Sequence, residues 1–281
     1  MRGIYKKIVL CLFISFTSLV GYGQEMDFES GAPTRRMFDE RMLYTKWIVT
    51  NFLTEDKTWF WYTDVVYRRQ SGLENNNLIE NPLRFSVRPF FARQFGRFTR
   101  VHLNPIGLFV SDARLGQPTD LGSQSEYELR STLEITQDAY VKKAGKEWIN
   151  ITHRWRFESR WRGVVEPIGP DWNFRTRYRT RFRIPLNGKH FYDNNVFYTV
   201  NYHELHLEFG PGVRLNQFSQ NRNFFGVGYR FWDWARIDIG YLHQYNFRGD
   251  GMTIDMSRGP MFYLFIDYLS KLRIGRDKPR L

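Results

Sequence analysis

The chain has 281 residues, a formal net charge of +12, 25% charged and 18% aromatic residues, and one cysteine. Its negative mean hydropathy, and the lack of any apolar run of about 20 residues after the first thirty positions, exclude a bundle of membrane-spanning helices. With no Pro/Ser/Gly-rich linker and no shift of composition along its length, it reads as one domain.

The N-terminus has the three parts of a secretory signal peptide. Arg2, Lys6 and Lys7 form a positive start, 8–20 is an apolar run, and Gly21-Tyr22-Gly23 sets small residues before a cut ahead of Gln24. Cleavage after 1–23 removes Cys11 and lowers the net charge from +12 to +9. A mature chain without cysteine has no disulfide staples, no Cys-ligated zinc and no thiol chemistry. The stretch 24–43 is polar and irregular, with Gly31, Pro33 and Arg35-Arg36.

From there a period of two dominates. Strands are predicted at about 44–53, 58–68, 83–91, 98–110, 125–135, 147–161, 173–185, 196–209, 222–232, 235–246 and 260–269. Their lengths exceed the five or six residues usual in soluble sheets and match strands tilted across a bilayer. The connections at 54–57, 92–97, 186–195 and 232–234 are short, and 136–146 is intermediate. Those at 69–82, 111–124, 162–172, 210–221 and 247–259 are longer and rich in Gly, Asn, Asp or Pro. Such alternation is typical of outer-membrane barrels, with short periplasmic turns and long external loops. Phe225, Val227, Tyr229 and Phe231, and then Ile237, Ile239 and Tyr241, make an apolar face opposite glycine, arginine and aspartate. The fold class expected is all-β, a transmembrane antiparallel barrel over 44–270 followed by a basic tail, 271–281. Bacterial barrels have even strand counts. Eleven visible strands therefore point to twelve, with a missing strand or a lumen-threading segment in 24–43.

The most distinctive chemistry is an arginine ladder. In N-F-R-T-R-Y-R-T-R-F-R-I-P, Arg175, Arg177, Arg179, Arg181 and Arg183 share one face, and Arg154, Arg156 and Arg160 repeat the phase on the preceding strand. An arginine facing hydrocarbon costs about 2–4 kcal/mol at the bilayer midplane, so the ladder belongs in the lumen. Glu126, Glu128 and Glu134 before it, and Glu204 and Glu208 after it, are the carboxylates available as partners. Left unpaired, the ladder makes a narrow anion-preferring channel for small anionic solutes; paired, it makes a salt-bridge network that fills a closed structural barrel.

The run L-N-Q-F-S-Q-N-R at 215–222, followed by F-G-V-G-Y-R-F at 225–231 and I-G-Y-L-H-Q at 239–244, resembles the ending of a bacterial family catalogued as domain of unknown function 2490. Trp47, the turn at 55–57 and the strand at 59–68 fit its early pattern. The resemblance implies an outer-membrane barrel without an established activity. The chain departs from many barrels by ending in 271–281 rather than on an aromatic strand.

An outer-membrane lipid hydrolase is the enzymatic alternative, and His203-Glu204-Leu205-His206 is the local cluster that bears on it. On a strand His203 and Glu204 point to opposite faces and no serine adjoins them, so the cluster reads as a bulge where the apolar phase shifts from Tyr198-Val200-Tyr202 to Leu205-Leu207. It is not a His-Glu-x-x-His zinc motif. No catalytic residue, metal site or cofactor is expected. A secreted chain meets no nucleic acid; outer-membrane lipid and the phosphates of lipopolysaccharide are the expected contacts of rim Arg and Lys.

Overall fold

The computed structural model describes residues 35–268 apart from 74, 116–119, 121–124, 144, 164–170, 212 and 214–216. The expected signal peptide and basic tail lie outside the described residues. Eleven strands follow one another: β1 (Arg36–Phe52), β2 (Trp59–Gln70), β3 (Asn81–Phe95), β4 (Thr99–Ser111), β5 (Glu126–Lys143), β6 (Lys146–Arg162), β7 (Asp171–Pro185), β8 (Val196–Phe209), β9 (Phe218–Trp232), β10 (Ala235–Phe247) and β11 (Thr253–Asp267). Each pairs antiparallel with the next, and β1 closes on β11. Closure leaves the sheet without an edge.

The strand count of twelve does not hold: among the described residues the wall closes with eleven. An odd count closes only if its first and last strands run the same way, and β1 and β11 are parallel. The stretch expected to hold a twelfth element instead lengthens β1, which starts at Arg36 rather than near residue 44. There the alternation is disguised by charge, because Asp39 and Arg41 point outward while Glu40, 1% exposed, points in.

Connection lengths depart from the expected alternation at two places. At one end lie 53–58, 96–98, 144–145, 186–195 and 233–234; at the other lie 71–80, 112–125, 163–170, 210–217 and 248–252. The ten-residue connection 186–195 belongs to the end with the short turns and folds inward, bringing Phe191 into the barrel with no exposed surface. The loop 248–252 is short because β11 begins seven residues ahead of Pro260. Pro260 and Gly259 are tolerated there because the β1–β11 pairing skips them between the pairs Arg41–Arg258 and Tyr44–Met261, with the register unchanged on either side. The tight turns carry ordinary turn chemistry. Asp56 accepts from the Thr54 hydroxyl at 2.5 Å and from the Thr58 amide at 3.1 Å, which holds its carboxyl below the usual value, and Lys57 takes a positive φ of 56°.

The alternation places Phe197, Phe225, Val227, Ile239, Tyr241 and Phe262 on the outer surface, all exposed. None of the nine tryptophans is buried. The interior holds a charged half, described below, and an apolar one in which Tyr44, Tyr198, Tyr202, Phe224, Leu242 and Met261 pack together. Glycine makes room for those rings: a Cβ on Gly228 would collide with the Tyr198 ring, and one on Gly226 would lie 2.7 Å from Phe224.

The expected phase shift at 203–206 is absent from β8 itself; the β8–β9 register slips by one residue at His206/Leu207, with the extra residue, Ser219, on β9. The β7–β8 register is continuous, and Tyr198, Val200, Tyr202, Glu204, His206 and Glu208 all face inward along one uninterrupted strand. What changes along β8 is the chemistry of the interior, aromatic near the short turns and charged further in. A bulge lies instead on β4, where the inward phase moves from His102 and Asn104 to Gly107 and Phe109. Asn104 Nδ2 steadies the irregular stretch by donating to the carbonyl oxygen of Ile106 at 2.9 Å.

Candidate functional site

On β6 and β7 the ladder residues fall at alternate positions, so all of them project into the barrel beside Glu128 and Glu134 of β5 and Glu204 and Glu208 of β8. Arg177 lies 2.9 Å from Glu204 and 2.9 Å from Glu158. Arg154 binds Glu204 and stands 3.7 Å from Glu134, which also accepts from Arg156 Nε at 2.7 Å. Arg160 reaches Glu208 at 2.8 Å and also pairs with Glu128, while Arg175 Nε donates to Glu208 at 2.8 Å. Glu126 stays out of this network: it sits half-exposed at the rim, 3.7 Å from Arg162.

The ladder is split. Arg175 and Arg177 have carboxylate partners, whereas Arg179, Arg181 and Arg183 have none within ion-pair distance among the described residues. Arg179 lies over the Tyr202 ring at 5.1 Å, Arg181 is 3.4 Å from the Thr152 hydroxyl, and Arg183 donates to Asn150 Oδ1 at 2.8 Å and covers Phe191 at 3.7 Å. Arg179 is cross-strand from Glu204, but that carboxylate is already held by Arg154, Arg177 and, at 3.2 Å, Arg222.

Several members were not named from the sequence. Glu158, with no exposed side-chain surface, joins Arg177 to Arg130 at 3.5 Å and Arg156 at 3.7 Å. Its signal was present, since it shares the phase of Arg154, Arg156 and Arg160. Asp64 gathers Lys46 at 2.5 Å and Arg88 at 2.6 Å on the facing wall, where no local run of like charges drew the eye. His206 enters the interior 3.3 Å from Glu204, while His203 is on the outer face with its Nε2 2.8 Å from Asn221 Oδ1. The wall separates the two histidines, so the His203–His206 cluster does not assemble a shared site.

These ion pairs are buried and hydrogen-bonded, the condition under which interior charge is tolerated. Their layer leaves a void of about 30 Å³, room for a water molecule or two. Beyond it, toward the long connections, Arg114 crosses the interior to Glu40 at 3.0 Å and Ser257 at 2.9 Å, and Arg248 joins Asp120 and Asp255 at 2.7 Å each. Toward the short turns the interior opens into a cavity of about 330 Å³.

No curated protein and no solved structure matches the chain. A family model described as Protein of unknown function (DUF2490) matches residues 43–255, from within β1 to the start of β11. That stretch contains the whole charged layer, and the chain belongs to this family.

Proposed function

We propose that the chain is a non-enzymatic β-barrel of the bacterial outer membrane, exported by a cleaved signal peptide, with an interior closed by its ion-pair network. The observation that carries this reading is the inversion of the molecule: ion pairs are buried and aromatic and aliphatic side chains cover the outside. Such a surface suits hydrocarbon, and a ladder of arginines suits only the inside of the wall. Trp59, Trp148 and Trp232 near the short turns and Trp172 at the opposite end stand where interfacial tryptophans belong. On the outer face near the long connections Arg41 and Arg69 are placed to meet the phosphates of lipopolysaccharide.

Of the two uses of the ladder, the packing supports closure over an anion-preferring channel, because the central void is too small for a hydrated ion. The test is conductance. The chain is reconstituted in vesicles, its insertion is verified by resistance to carbonate, and chloride efflux is followed. Efflux no faster than from empty vesicles supports closure; anion-selective efflux restores the channel reading. Location is tested by fractionation of cells, with the processed chain expected in the outer-membrane fraction rather than the soluble periplasm.

A further inference from the structure

The cavity at the short-turn end is not needed to close the barrel, and its walls are chemically one-sided. Ten lysine and arginine side chains line it against four carboxylates. Asp64, Glu134 and Asp267 among those carboxylates are already bound to Lys46, Arg156 and Arg236. Arg179, Arg181 and Arg183 are left facing it from β7 at every second residue, spaced by about 6.6–7 Å. Nε of Arg179 and of Arg181 is buried without a hydrogen-bond acceptor. Nε is equally orphaned on the ion-paired Arg154 and Arg177, so what sets Arg179 and Arg181 apart is that neither has a carboxylate partner among the described residues, a partner that an anion in the cavity would supply. Five strands round the barrel in one direction and six in the other, β1 and β2 face β7 and present Phe52, Phe60 and Tyr62. Tyr62 is held from behind by stacking on Phe90 at 4.7 Å with planes 7° apart, and Phe60 lies against it with planes 26° apart.

We infer that this cavity is a binding site for a small organic anion, an apolar or planar body carrying a phosphoryl group, with the body on the aromatic wall and the phosphoryl oxygens on the β7 arginines. The phosphoryl group is favoured because several guanidinium groups line one cavity, and each offers paired donors to oxyanions of this geometry. The volume is at the lower end of small-molecule pockets and suits one ring rather than a dinucleotide. The aromatic wall distinguishes the ligand from inorganic phosphate. The site goes beyond the proposed function and stands whether or not the barrel conducts.

The test is calorimetric titration of the folded full chain in detergent with phenyl phosphate and, separately, inorganic phosphate. Phenyl phosphate is expected to bind at least tenfold more tightly, and Arg179→Gln and Arg181→Gln are each expected to weaken it at least fivefold. Neither substitution strands a carboxylate, and folding is checked by heat-modifiable gel mobility. An independent arm leaves the ladder intact: Lys57→Cys, at the exposed mouth, is capped with a bulky maleimide and should lose phenyl phosphate binding. No binding by the folded wild type, equal affinity for the two phosphates, folded arginine variants that bind as wild type, or binding unaltered by the cap would each overturn the site.

Discussion

Arg177 and Arg179 stand two residues apart on β7, point the same way and live in different surroundings. Arg177 is shared by Glu158 and Glu204; Arg179 has an aromatic ring and the open cavity. Arg177→Met strands two buried carboxylates and is expected to cost about 3–5 kcal/mol. Arg179→Met removes a cation repelled by its neighbours and should leave stability within about 0.5 kcal/mol. The temperature at which the folded gel band converts to the unfolded one reads both; equal shifts would contradict the assigned partners. Glu158→Gln should resemble Arg177→Met, since it deprives several guanidinium groups of their common acceptor. The sequence showed that the ladder shares one face, because that follows from a period of two. It did not show which rungs are paired. The partners come from other strands through register and from competition for Glu204, neither of which is written locally.

Among the elements, the parallel seam between β1 and β11 is the most exacting. Parallel pairing is slightly weaker per residue than antiparallel, and this seam also skips the pairs opposite Gly259 and Pro260 while keeping its register on either side. A Cβ on Gly259 would strike the carbonyl oxygen of Met42, and its φ of 158° is unusual for other residues. Gly259→Ala is therefore expected to lower the unfolding temperature of the heat-modifiable band, whereas Gly249→Ala, in open space, should not; equal behaviour of the two would contradict the seam. The direction of the strands is a separate matter. On the proposed reading Asn76→Cys and Gly249→Cys label from outside intact cells and Asn187→Cys does not. The opposite pattern would invert the barrel. All eleven strands were visible as alternation in the sequence. The ends of β1 and β11 were not, because charge masked the phase around Asp39 and Arg41, and Gly259-Pro260 reads locally as a loop.

For the whole molecule, the arrangement of faces was legible only where arginine forced it. On β7 and along 225–231 of β9 apolar residues point out, but Phe224 of β9 and Tyr198, Val200 and Tyr202 of β8 point in and complete an aromatic core. A barrel this narrow fills its interior with side chains, apolar ones included, so hydrophobicity alone does not tell which face meets the surroundings. The closed wall, the filled middle and the cavity at one end arise from long-range pairing. That the outside of this wall meets lipid is tested most directly through its tryptophans, which are all unburied and include Trp47 and Trp155 well within strands. Tryptophan emission of the chain folded in vesicles should be strongly quenched by lipids brominated along their acyl chains and little affected by aqueous iodide. Emission quenched by iodide and indifferent to brominated lipid would place the aromatic surface in water and contradict the membrane barrel.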